Sequence, residues 1–147
     1  MKIYLGSDHA GFELKEKLKP YLKKLKYNFT DTGNTKFDKN DDYPIFAARL
    51  AIKVSKDKNS RGILVCGSGQ GVCIVANKIK GIRAAVAEHI KDAHLARNDD
   101  DCNVICLPGR AISFEKAKKI VKNFLETEFG SAPRYKRRVN EIKRIEK

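Results

Sequence analysis

The chain has 147 residues, 33% of them charged, and carries a formal net charge of +13. That length fits one domain, residues 1–147, with a core that needs no disulfides. No apolar run nears the roughly 20 residues needed to cross a bilayer. The lysine excess is dispersed (Lys15, Lys17, Lys19, Lys23, Lys24) rather than gathered in one stripe. It reads as a solvated exterior and argues against nucleic acid as a partner.

The chain enters its first strand, Lys2–Gly6, with no apolar leader pattern before it, so a cytoplasmic location is expected. Leu14, Leu18, Leu22 and Leu25 then form a helical stripe, which Pro20 is expected to interrupt and bend. A strand is expected at Tyr27–Asp31, a turn-rich stretch at Gly33–Pro44, and then a second helix that holds Ile45, Phe46, Leu50 and Ile52. The third strand, Gly62–Cys66, breaks into Gly67-Ser68-Gly69-Gln70-Gly71, and a helical pattern runs from Val72 to Ile79. Further strands are expected at Ile82–Ala87 and Asn103–Leu107. Helices follow around Asp92–Arg97, at Phe114–Phe124 with Ser113 as N-cap, and at Arg134–Ile145. Four of the strands are mostly apolar, as strands covered on both faces are. Repeated β-α-β makes a parallel sheet with helices on both sides, and ligands of such sheets bind beyond the carboxyl ends of the strands.

Cys66 stands at such an end. So do Asp8 and His9, after the first strand, and Arg110, after the fifth. The bare amides of the loop from Gly67 to Gly71 can hold an anion, and main-chain dipoles favour a thiolate beside them. Cys73, Cys102 and Cys106 lie in apolar stretches and read as small buried hydrophobes, and the four cysteines have no zinc-ligand spacing. A Cys-phosphatase loop needs an arginine six residues after the cysteine, where this chain has Val72. The loop pattern G-x-G-x-G after the third strand is not a dinucleotide fingerprint, although Glu88 lies near the distance of a ribose contact. No G-K-[ST] follows, so a P-loop is excluded. A small phosphorylated ligand and acid–base chemistry without metal or cofactor remain. Arg134 and Arg138, four apart on one helix face, suit a phosphate dianion.

Gly6-Ser7-Asp8-His9-Ala10-Gly11-Phe12, Asp42-Tyr43-Pro44, the Cys66–Gly71 loop, Ala76-Asn77-Lys78, Gly81-Ile82-Arg83-Ala84, Asn103-Val104, Gly109-Arg110 and Arg134-x3-Arg138-Val139 occur in this order. Together they resemble type B ribose-5-phosphate isomerases, a group that extends to galactose-6-phosphate and allose-6-phosphate isomerases. The resemblance runs from Lys2 to about Ile145. It implies a Rossmann-like three-layer sandwich with a five-stranded parallel sheet and a C-terminal helix packed on a partner subunit. It implies a homodimer or homotetramer with shared active sites, and no cofactor. By resemblance Cys66 is the base that moves the C2 proton through an enediol. Asp8, His9 and Tyr43 contact substrate, the loop amides and the Ser68 hydroxyl steady the enediolate, and Arg110, Arg134 and Arg138 hold the phosphate.

One segment departs from the pattern. The family has histidine and asparagine where this chain has Asp99 and Asp100. The histidine helps to open the sugar ring, so that task falls to Asp99, with Asp100 beside it. A carboxylate of ordinary pKa about 3.9 is a poor acid at neutrality but accepts a proton readily. His9 or His94 taking over, and action on the open-chain sugar, are the alternatives. Rival readings are a nucleotide- or nucleic-acid-binding module and a non-catalytic subunit of such an isomerase. The preferred sugar phosphate is not fixed by the sequence.

Overall fold

Residues alternate strictly between the two faces of the central strands. Ile3, Leu5, Ile63, Val65, Ile105 and Leu107 enter one buried cluster, while Tyr4, Leu64, Cys66, Val104 and Cys106 enter another. That period of two is what strands buried on both faces require. In a computed structural model describing residues 1–146, the strands are β1 (Lys2–Ser7), β2 (Asn28–Asp31), β3 (Ser60–Cys66), β4 (Ala84–Val86) and β5 (Val104–Pro108). All pair in parallel, in the order β2-β1-β3-β5-β4. The five-stranded parallel sheet expected from the sequence is therefore present.

Helices cover both faces. Leu14, Leu18 and Leu22 of α1 (Phe12–Lys24), Ala93 and Ala96 of α4 (Ile90–Asn98), and Ile120 and Phe124 of α5 (Phe114–Glu126) pack on one side. Ala47, Leu50 and Val54 of α2 (Tyr43–Lys56) and Val72 and Ala76 of α3 (Gln70–Ala76) pack on the other. A last helix, α6 (Pro133–Ile145), buries only Val139 and leaves Ile142 and Ile145 exposed. Among the described residues no helix is long and apolar enough to cross a membrane.

Three local expectations need correction. α1 is not interrupted at Pro20; that residue lies on the exposed side, while the three leucines hold the inner side to the sheet. The expected second helix is present as α2, with Ala47, Leu50, Ala51 and Val54 buried and Ile45 and Ile52 exposed. The fourth strand is three residues long rather than six. Cys102 and Cys106 are buried, but Cys73 is only half-buried. Ser113 caps α5 as expected, accepting from the Lys116 N–H.

Candidate active site

Segments following β1, β3 and β5 meet where the strands stop. A short 3₁₀ turn, His9–Gly11, follows β1, and Asp8 caps it by accepting the Gly11 N–H at 3.0 Å. Gly11 lies directly on β3: a Cβ there would sit 2.2 Å from the Val65 carbonyl oxygen. Only glycine lets the turn come this close, and the contact brings Asp8 and His9 beside Cys66. The Gly109 N–H donates to the Cys66 carbonyl at 2.7 Å and the Arg110 N–H to the Gly67 carbonyl at 3.1 Å. These bonds lay the Arg110 side chain over Gly67, where an added Cβ would meet its Nη1 at 3.2 Å.

The result is a cleft of about 560 Å³ lined by Asp8, His9, Tyr43, Cys66, Glu88 and Arg110, with Gly67, Ser68, Gln70 and Gly71 of the loop. Cys66 is only 4% exposed, so its sulfur is reached through the cleft. Gly69 is not a lining residue. It has φ of +76°, and its N–H donates to the Cys66 sulfur at 3.1 Å. The N–H groups of Ser68 and Gly71 have no hydrogen-bond partner among the described residues. Two residues with bare amides, Ser68 and Gly71, and the Arg110 guanidinium therefore line one cleft, with a third amide on the sulfur at its edge, an arrangement that can take up negative charge.

Asp99, Asp100, Arg134 and Arg138 do not line this cleft. Asp99 ends α4 and accepts a hydrogen bond from Asn98 at 2.7 Å. Asp100 borders a separate groove with Ile142 and Ile145 of α6. Arg134 and Arg138 are exposed on α6. Two of the motif asparagines are structural. Asn77 bonds both the N–H and the carbonyl of Ala84, and Asn103 bonds Arg83 and Gly81, so side chains frame the short β4.

Sequence reasoning missed Asp41 and gave Glu88 a different role. Asp41 accepts from His9 twice, from the N–H at 2.9 Å and at Nδ1 at 2.7 Å. Its other oxygen accepts from Asn34 Nδ2 at 2.5 Å. The His9 pKa is raised by that hydrogen bond; burial lowers it, and the Asp8 and Asp41 charges raise it further. Asp8, His9 and Asp41 also form the one group among the described residues with three donor atoms within 4.8 Å of one another. Hydrogen bonds already engage Nδ1 and both Asp41 oxygens, so the group is satisfied as a network.

The fold and the cleft define an α/β enzyme that works on a small anionic substrate, with a thiol on the cleft floor. Residues 3–142 match the family described as Ribose/Galactose Isomerase, and the chain belongs to that family. It is 39% identical to the ribose-5-phosphate isomerase B of Mycolicibacterium paratuberculosis, over 100% of this chain and 92% of that protein. It is 40% identical to the D-erythrulose-4-phosphate isomerase of Pectobacterium atrosepticum, over 91% and 90%. A crystal structure of Mycoplasma genitalium ribose-5-phosphate isomerase B with bound ribulose-5-phosphate superposes with a TM-score of 0.95. That protein is 44% identical, over 99% of this chain and 95% of the other.

Proposed function

We propose that the chain interconverts ribose 5-phosphate and ribulose 5-phosphate through an enediolate, with Cys66 as the base. The observation that carries this reading is a cleft-facing sulfur beside bare loop amides and Arg110, in a chain whose relatives are named for that isomerisation. The Cys66 thiolate removes the C2 proton, and the C1 carbonyl oxygen takes the charge. The Ser68 and Gly71 amides, with the Ser68 hydroxyl, stabilise that oxygen. The O2 hydroxyl proton passes to O1, and as the C2 carbonyl forms, the proton held on the sulfur, or one exchanged there from water, returns to C1. Asp8 and Tyr43 hold the sugar hydroxyls, and Gln70 borders its path. Arg110 and His9 face the phosphate. No step calls for a metal or redox cofactor.

Arg134, Arg138, Asp99 and Asp100 lie off the cleft of their own chain. We assign them to the cleft of a second copy in a homodimer or homotetramer. The exposed Ile142 and Ile145 on α6 support a helix that packs against that copy. In that setting Asp99 accepts the anomeric proton as the ring opens. Four free cysteines suit a reducing compartment, which supports the cytoplasm as its location.

The D-erythrulose-4-phosphate isomerase relative supports a second reading, a shorter sugar phosphate as substrate. NMR-monitored conversion tests both. The purified chain, without added metal, is given ribose, allose and galactose phosphates and erythrulose 4-phosphate. The proposal expects fastest turnover of ribose 5-phosphate. Turnover of erythrulose 4-phosphate alone selects the second reading, and no turnover of any overturns both.

A further inference from the structure

We propose that Asp41 positions His9, fixing its ring as the Nδ1–H tautomer so that Nε2 meets the substrate phosphate and binds it when the ring is protonated. The inference rests on the sugar-phosphate reading above. Asp41 itself is not a lining residue of the cleft and acts only through His9.

Three observations carry it. First, Nδ1 of His9 lies 2.7 Å from Asp41 Oδ1. A carboxylate accepts only, so the ring must donate from Nδ1 in both of its protonation states. Nε2 then has no partner among the described residues and is the nitrogen left for a ligand in the cleft. Second, the carboxylate is held from behind. Asn34 is buried; its Nδ2 donates to Asp41 Oδ2, its Oδ1 accepts from Ser7, and its carbonyl accepts from the fully buried Lys15 at 2.8 Å. Such support fixes a ring that is itself partly exposed. Third, His9 shares its end of the cleft with Arg110, close enough for that guanidinium to disfavour the charged imidazole. Two cations side by side, with an acceptor behind only one of them, suit a dianion.

The charge balance follows. A neutral His9 with hydrogen on Nδ1 turns a lone pair on Nε2 toward the phosphate oxygens and repels them. Protonation at Nε2 converts that contact into a charge-assisted donor, so binding by a ring that starts neutral takes up one proton from solvent. The charged or titratable groups around the ring are Asp41 from the segment before α2, Asp8 after β1 and Arg110 after β5. Cys66, Tyr43 and Glu88 lie along the same cleft. Asp41 and Asp8 favour the protonated ring and Arg110 opposes it, with the balance toward protonation.

The test reads the ring directly. The chain has three histidines, and His89→Gln and His94→Gln assign the His9 signals in long-range 1H–15N spectra. In the wild-type chain at alkaline pH the neutral His9 ring is expected as the Nδ1–H tautomer, the minor form in free histidine. Finding Nε2–H there overturns the proposal, whatever any variant does. Asp41→Asn should make His9 titrate at lower pH and weaken binding of inorganic phosphate roughly tenfold near pH 7.5. The KM for ribose 5-phosphate should rise by a similar factor while kcat changes less, and the difference should close at acid pH. A folded Asp41→Asn with wild-type phosphate affinity also overturns it. The phosphate and tautomer readouts need no turnover, so a wild-type chain inactive on ribose 5-phosphate would sink the assigned reaction and leave this result readable.

Discussion

The Gly69 N–H points at the sulfur of Cys66 from 3.1 Å. Gly69 reaches that position with φ of +76°, where a side chain is strained. A Cβ would also meet the main chain of Leu107 and Pro108 at 3.2 and 3.3 Å. Backbone and reactive atom are thus set by one glycine. Gly69→Ala should destabilise the fold by about 1–3 kcal/mol. It should lower kcat more than a surface substitution of equal stability cost. Thermal unfolding and steady-state kinetics on the same preparation check this; a stable variant with wild-type kcat contradicts it.

Gly71 has a different task. A Cβ there would fall 2.5 Å from Cζ of the Tyr43 ring. Tyr43 is 39% exposed and can swing out, so stability should hardly change. Displacing the ring alters the cleft wall. Gly71→Ala is expected to raise KM roughly tenfold, about 1.4 kcal/mol of lost binding, with the melting temperature unchanged. A large drop in melting temperature would mean that the ring cannot move.

Asp31 holds a buried cation. Its carboxylate lies 2.5 Å from Lys15 Nζ and 2.6 Å from Lys19 Nζ, and the Lys15 side chain is fully buried. Burial pushes the Asp31 pKa up, but the two lysines and the Gly33 N–H outweigh it and hold it below the usual carboxylate range. A depressed carboxyl stabilises the fold above its unfolded pKa, and that contribution is lost as pH falls through the folded value. Asp31→Asn should therefore cost about 3 kcal/mol at neutrality and flatten the acid limb of the stability curve. Urea unfolding across pH measures both. An unchanged acid limb would show that another carboxylate controls it.

Most of the fold is legible in the sequence because its signals are local. Apolar runs of strand length, leucines at helical spacing and a Ser113 cap each need only a few neighbouring residues. The cysteine–glycine loop is legible for the same reason: a strand end and three glycines lie within six positions. Boundaries failed where side chains from afar decide them. β4 is short because Asn77 and Asn103 bond the chain around it, a tie no periodicity reveals. Asp41 was invisible because its partner is 32 residues away, and its own neighbourhood holds two other aspartates, Asp38 and Asp42. Glu88 enters the cleft only because β4 ends beside β5.

The shared-site assignment makes a quantitative forecast. Cys66→Ala and Arg138→Ala should each be nearly inactive alone. Unfolded together in equal amounts and refolded, they should recover about a quarter of wild-type activity, because half the dimers are mixed and each mixed dimer holds one intact site. Asp99→Asn should complement Cys66→Ala in the same way if it serves the second copy's cleft. No recovery from any pairing would assign Cys66, Arg138 and Asp99 to one chain's site, or to none.

The most direct test follows the C2 proton. Ribose 5-phosphate is incubated with enzyme in deuterated water, and deuterium on the sugar is read by NMR. The wild-type chain should introduce label as it isomerises. Cys66→Ala should bind the sugar phosphate normally and exchange the proton at least about 100-fold more slowly. Exchange at the wild-type rate without the sulfur would contradict the account.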